Sequence, residues 1–548
     1  MPFVSERIYK TIKWLWHKSK GIKLQSLLNF FVGISLVAVD LLFVAASKLV
    51  IDIATQTETI ISLPYACVAL AIIIILQILL GTTSRWIKAT LSVKAINKLQ
   101  HKIYQRLLVT EWKCLQQFHS GDIVNRIQKD TTEISQFITD ILPNFFAISI
   151  KFIGAFVFLF LMDKTLALVV VIILPIFIVI SRIYISKLKE LTHKAKNIES
   201  AIQSYLQESL QHTNVLKTLL CIDQATEKLF YQHKELQQTI YHKTFYSSTT
   251  ATLLNLGFAS GYFFTFCWGA YNLSQSLITY GTLMAFIQLV SQIQGPIRSL
   301  TGFIPIFINV STSIERLEEL ESLELESYHH SPKILNIPKG IKIENLTFSY
   351  NENSRNIFEK FNLDIKPQSK VAIIGETGSG KTTLIRIILS LVHPTDGKVS
   401  IYSDSFNSPL TAEQRVFIAY LPQGNTLLSG TIRENLLLAK PNATESEIEN
   451  VLCMACAEFV FNLPLKLDTQ CSEKGGGFSE GQAQRICLAR TFLREAPIFI
   501  LDEATSALDN ETEQKIIENI STYLSNRTII FVTHRNAVLK ICDKVVKI

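Results

Sequence analysis

Apolar residues run in long unbroken blocks through the first part of the chain and in short, spaced blocks through the rest. A helix needs about 20 consecutive apolar residues to cross the bilayer core. Six runs reach or approach that length: residues 27–46 with one charge, Asp40; 61–80 with none; 141–162 with Lys151; and 165–180, 250–271 and 278–297. They predict an all-helical membrane domain of six spans over residues 1–322. Two connections, residues 84–138 and 182–245, are too long for turns, contain no proline, and show helical apolar spacing, as at Leu188, Leu191, Ala195 and Ile198. They predict spans continued as helices beyond the bilayer. Ahead of the first span, residues 7–23 carry Ile8, Ile12, Trp14, Leu15 and Trp16 among basic residues, the pattern of a helix lying in the interface.

Composition agrees and sharpens this picture. Of 548 residues, 48% are hydrophobic and 18% charged, with mean hydropathy +0.26. An ordinary soluble domain is about a quarter charged, which argues against a wholly soluble enzyme. The net charge of +7 divides unevenly: residues 1–340 hold 31 Lys and Arg against 22 Asp and Glu, whereas residues 341–548 hold 22 against 24. Residues 1–23, 84–138 and 182–245 hold 24 of the basic residues, while the intervening short loops hold only Lys48 and Lys164. Basic loops stay on the cytoplasmic side, so both termini and the long connections are expected there. None of the nine cysteines falls in a short outer loop, so no extracellular disulfide framework is expected. Cys453 and Cys456 read as small buried residues on a helix rather than a redox pair.

Residues 323–340, with His329, His330, Pro332 and Pro338, read as a linker, after which β-rich segments alternate with helices. Strands are predicted over 341–350, 370–374, 419–422, 498–501 and 528–532, giving an α/β domain over 341–548 with a largely parallel sheet. Gly375, Glu376, Thr377, Gly378, Ser379, Gly380, Lys381 and Thr382 fit the phosphate-loop spacing in full, between an apolar strand and a helix. Glycines let the backbone aim N–H groups at phosphate, the helix N-terminus adds positive potential, Lys381 neutralises the outer phosphates, and the Thr382 hydroxyl suits Mg²⁺. A second apolar strand ends in Asp502 and Glu503, which places one carboxylate for the metal and one to polarise a water.

Together with Gln423, the run Phe478-Ser479-Glu480-Gly481-Gln482, Asp509 and His534, these residues make the chain resemble the ATP-binding cassette exporters over essentially its whole length. The resemblance implies a half-transporter: six spans with long intracellular helices fused to one phosphate-loop nucleotide-binding domain, binding ATP and Mg²⁺. Tyr350 would stack on adenine, and residues 375–382 with Thr383 would hold the phosphates. Thr382, Gln423 and Asp502 would meet the metal, and Glu503 and His534 would act in hydrolysis. Ser479, Gly481 and Gln482 would grip ATP held by a second subunit, with Asp509 facing that subunit's loop. A dimer is therefore implied, as a homodimer or heterodimer in contact with membrane lipids and an amphiphilic substrate, in a bacterial plasma membrane.

Gly121, Asp122, Asn125 and Arg126 resemble the family's first coupling region, Glu208 the second, Glu473 a residue meeting the partner, and Ser313 to Arg316 the exit from the last span. Two departures stand out. Glu480 replaces the commoner glycine, where an acid near a γ-phosphate would repel it. The chain also ends soon after the His534 strand, where the family carries a further short strand and helix. The expected function is ATP-driven export or flipping of a lipid, drug or peptide; the competing class is an ATP-gated channel or regulatory membrane protein.

Overall fold

The computed structural model describes residues 14, 21, 23–58, 61–118, 120–300, 303–326, 337, 339–350, 355–404, 406–472 and 477–548, and the statements below concern these. Glu473 and most of the expected interfacial helix over residues 7–23 lie outside them.

With no water to satisfy backbone groups in lipid, the apolar runs form helices. These are α1 (Lys23–Ala54), α2 (Leu63–Leu108), the short α3 (Trp112–Leu115), α4 (Ser120–Met162), α5 (Lys164–Gln211), α6 (Thr213–Thr218), α7 (Ile222–Ser274), α8 (Tyr280–Leu300) and α9 (Phe303–Ser322). Among the described residues α1, α2 and α4 are long and apolar enough to span a membrane. The fourth, fifth and sixth expected runs lie in α5, α7 and α8. The last two are diluted by Gly257, Gly261 and Gly269 and by Gln288, Gln292 and Gln294. The long connections are helical: α7 alone has 53 residues, about 80 Å at 1.5 Å per residue.

The chain divides into two compact units, one taking the residues up to Ile103 with Val124–Glu319, the other Tyr104–Ile123 with Leu320–Ile548. In the first unit Val44, Leu159, Leu166, Phe286, Leu289 and Ile293 form the bundle core. On α7, Gly257, Gly261, Thr265 and Gly269 are buried at four-residue spacing. A Cβ on Gly261 would meet Gln294 Nε2 at 2.7 Å and one on Gly269 would collide with Leu283 Cδ1, so small residues there let α8 approach. Asp40 and Lys151 satisfy one another: Lys151 Nζ donates to Asp40 Oδ2 at 2.5 Å, and Gln77 Nε2 donates to Oδ1 at 2.6 Å. Two sequence motifs also meet, since Arg126 Nη1 donates to the Arg316 carbonyl at 2.9 Å and to Glu319, while Ser313 Oγ reaches Asp130 and Glu133.

In the second unit β1 (Gly340–Phe348), β2 (Phe358–Ile365), β3 (Lys370–Ile374), β4 (Asp396–Ser403), β5 (Phe406–Pro409), β6 (Ile418–Leu421), β7 (Ile498–Asp502), β8 (Thr528–Val532) and β9 (Lys544–Lys547) form two sheets. A parallel sheet runs β9-β3-β8-β7-β6 and an antiparallel one β2-β1-β4-β5. The expected strands are present with ends shifted by one or two residues, and β2, β4, β5 and β9 are additional. Contrary to the expected departure, the chain carries a further edge strand beyond His534: β9 pairs in parallel with β3. Helix α10 (Lys381–Ile388) follows β3, α11 (Glu480–Leu493) precedes β7, and α12 (Asn510–Tyr523) precedes β8. Cys453 is exposed on the helix Glu445–Met454, and Cys456 lies beyond its end with φ +51°, so the pair is not the buried helical one expected.

Part of the expected linker is structured. Glu111 N donates to the Glu324 carbonyl at 3.0 Å and Glu326 N to the Val109 carbonyl at 2.8 Å, a two-stranded strap around Thr110 and Leu325. Arg415 grips both carboxylate oxygens of Glu326, at 2.7 and 2.9 Å, and donates to the Leu389 and Ser390 carbonyls. Fork-on-fork geometry of this kind is the strong form of an ion pair.

Candidate functional site

The parallel strands β3, β7 and β8 end side by side, and the sequence-identified residues follow those ends. After β3, Gly378 and Gly380 take φ +87° and +104°, conformations closed to most side chains. A Cβ on Gly380 would also sit 2.7 Å from Ile357. The loop therefore turns straight into α10, whose first turn carries Lys381 and Thr382. Lys381 Nζ folds back onto the Gly375 and Glu376 carbonyls at 2.5 and 2.9 Å. Ser379 Oγ is buried without a hydrogen-bond partner, and Glu376 and Thr377 are exposed. An orphaned hydroxyl inside the loop, with an ammonium beside it, fits an anion.

Strand β7 ends in Asp502, 4% exposed, followed by Glu503 with φ +49°. A left-handed glutamate costs about 1–3 kcal/mol, and here it is held by its neighbours. Glu503 N donates to the Val532 carbonyl at 2.8 Å, and Gln484 Nε2 donates to the Glu503 carbonyl at 2.8 Å. Its carboxylate accepts from Gln423 Nε2 at 2.7 Å. The buried Gln484 also accepts from Ala507 N at 3.1 Å, a supporting role that sequence reading missed. His534 is exposed on the loop after β8, the strand whose Val532 pairs with Asp502.

Burial, then the Glu503 charge, pushes the Asp502 carboxyl up to about 6, while Lys381 and a hydrogen bond from Tyr420 pull it down. The Tyr420 phenol is pushed up to about 12 by burial and by Asp502. A carboxylate this costly to ionise is a natural cation ligand. Thr382, Gln423 and Asp502 each carry a hard-oxygen donor, and among the described residues no group of three His, Cys, Asp or Glu could hold a metal alone. Such a set suits an ion that takes its other ligands from phosphate and water. In metal-free protein the raised value means that folding favours protonated Asp502. That contribution is complete below about pH 4 and is lost as pH rises through about 6. The stability difference between wild type and Asp502→Asn in chelator should therefore shift by about 3 kcal/mol over this window, read from denaturation midpoints. A difference independent of pH would show that Asp502 is ionised throughout.

The remaining residues divide. Tyr350 is half-buried, edge-on to Phe348 at 5.0 Å, with its hydroxyl 3.3 Å from that of the buried Thr383. Ser479 caps α11 in a reciprocal box with Gln482, at 3.2 and 3.0 Å. Glu480 is exposed in the first turn, where the helix dipole favours an acid. Gly481 is dictated by proximity, since a Cβ there would sit 2.8 Å from the Ala507 carbonyl oxygen. Asp509 caps α12, its carboxylate accepting from Thr512 N at 3.0 Å and held below the usual range by that bond.

Comparison with known proteins finds matches to both parts of the chain. Residues 26–297 match the family model described as ABC transporter transmembrane region and residues 358–506 the one described as ABC transporter. Proteins of Staphylococcus aureus strains COL and N315, named for multidrug export as ATP-binding/permease proteins, are each 29% identical over 485 residues, 88% of this chain and 84% of theirs. A bacterial Atm1-family ABC exporter, solved with ATP bound, shares the fold with TM-score 0.76 and 21% identity, covering 97% of this chain and 93% of that one. The chain is an integral, multi-pass membrane protein that belongs to the ATP-binding cassette transporters, with an exporter-type membrane region fused to an ATP-hydrolysing domain.

Proposed function

We propose that this chain is one half of a dimeric exporter that uses ATP hydrolysis to move an amphiphilic substrate across the membrane. The observation that carries this reading is the Gln423–Glu503 contact of 2.7 Å at the strand ends beside the phosphate loop. Glu503 polarises the attacking water, and Gln423 holds its carboxylate in place. His534 supports the γ-phosphate at the same edge. Gly375 to Thr383 cradle the phosphates, with Lys381 exchanging its two loop carbonyls for phosphate oxygens. Thr382, Gln423 and Asp502 would hold Mg²⁺, which would supply charge neutralisation at the phosphates. Tyr350 provides the adenine platform.

Ser479, Gly481 and Gln482 face the nucleotide of a second copy, with Asp509 at the same junction. One chain carries a complete set of these groups, which favours a homodimer over a heterodimer. Dimer closure on ATP turns the membrane helices outward, and hydrolysis resets them. The basic bias of the long connections supports a cytoplasmic nucleotide-binding domain, and the staphylococcal relatives support a bacterial plasma membrane. Their multidrug names support an amphiphilic cargo; lipid, drug and peptide all suit an apolar bundle.

The test is transport by the full chain in proteoliposomes with an amphiphilic dye as cargo. ATP should drive accumulation against the dye's gradient, and a non-hydrolysable analogue should not. Flux that only dissipates the gradient, with either nucleotide, would instead indicate an ATP-gated channel.

A further inference from the structure

Arg386 lies on α10, behind the phosphate loop, and engages two groups from distant parts of the chain. Its Nη1 donates to the Tyr350 hydroxyl at 2.9 Å, and its guanidinium carbon stands 4.6 Å from the centre of the Trp112 ring. Tyr350 is thereby fixed at both ends, by Phe348 against its ring and by Arg386 and Thr383 at its hydroxyl. Trp112 belongs to α3, at the turn of the first long connection, and packs with the nucleotide-binding domain's core. The flanking residues are strapped to Glu324–Glu326, and Arg415 clamps that strap at Glu326. His393 stands 3.6 Å from Glu111 and adds a second contact beside α3. A planar guanidinium can stack on an indole and donate from its edge at once; a lysine ammonium cannot do both.

We infer that Arg386 is a positioning residue for the adenine platform. Held between Trp112 and Tyr350, it ties the setting of the Tyr350 ring to the position of the first cytoplasmic connection. A displacement of α3 then weakens ATP binding, and by reciprocity bound ATP holds α3 in place. This inference rests on the reading of Tyr350 as the platform for adenine.

The test measures KM for ATP and kcat of the full chain in lipid nanodiscs. Trp112→Ala and Arg386→Met should each raise KM about 3- to 10-fold with kcat changed less than about twofold. Trp112→Phe, which keeps an aromatic face, should recover most of the loss. The double variant should be no worse than Arg386→Met alone, because both break one chain of contacts. Tyr350→Phe removes only the hydroxyl that accepts from Arg386 and should raise KM in the same way, which keeps the test valid if Arg386→Met misfolds. Unchanged KM in Trp112→Ala and Tyr350→Phe, or strictly additive losses in the double variant, would overturn the relay. If Tyr350→Ala raises KM while those variants do not, the platform reading stands and the relay falls. If Tyr350→Ala leaves KM unchanged, the platform reading itself fails.

Discussion

Glu503→Gln should lower phosphate release by about 10²- to 10⁴-fold, the usual contribution of a positioned general base, while ATP still binds. Glutamine keeps the size and can still pair with Gln423, whose Nε2 now reaches Glu503 Oε2 at 2.7 Å. It also leaves the backbone contacts of the left-handed turn in place, because Val532 and Gln484 meet main-chain atoms. What is lost is the charge that draws a proton from water. Single-turnover phosphate release and equilibrium binding of labelled ATP, both in nanodiscs, separate the two effects. A variant that hydrolyses ATP like wild type would remove Glu503 from the chemistry.

The second large effect is structural. Asp40→Ala leaves the Lys151 ammonium without its partner inside the bundle, where the side chains of the pair are 14% and 27% exposed. Breaking a buried pair costs about 3–5 kcal/mol; partial exposure brings the expected loss to about 2–3 kcal/mol. It should appear as a clear fall in the thermal aggregation midpoint of the protein in detergent. The double variant Asp40→Asn with Lys151→Met carries no orphaned charge and should recover most of that fall. A double variant as unstable as Asp40→Ala would mean that Asp40 acts through Gln77 rather than through Lys151.

The nucleotide site was legible in the sequence because its chemistry demands residue types at fixed spacing. A turn that presents amides to phosphate needs glycine where φ is positive, as at Gly378 and Gly380. The carboxylates must follow an apolar strand, as Asp502 follows Ile498 to Leu501. The antiparallel sheet was mostly hidden. Register shifts break the alternation along β1, and β5 is only the four residues Phe-Asn-Ser-Pro; in the parallel sheet, the edge strand β9, Lys-Val-Val-Lys, was hidden too because it is mostly exposed. Neither Asp509 nor Ser479 announces its cap as distinct from a ligand role, because one oxygen geometry serves both. Least legible was Trp112. Nothing local marks a tryptophan in a long interhelical connection as the neighbour of an arginine beside the phosphate loop, and only the folded chain brings them together.

The folded-back Lys381 bears on how the heat of ATP binding should be read. Its ammonium already holds two carbonyl oxygens, at 2.5 and 2.9 Å. Receiving a phosphate is therefore an exchange of ligands, not the first capture of a free cation. The enthalpy released at this residue is the difference between two sets of charge-assisted bonds. The loop carbonyls given up must find other donors, so part of the gain at the phosphate is returned within the same turn of chain. The loop thus works less as an empty trap than as a holder of its own stand-in, and the affinity of the site rests on how much better phosphate is than the peptide oxygens it displaces.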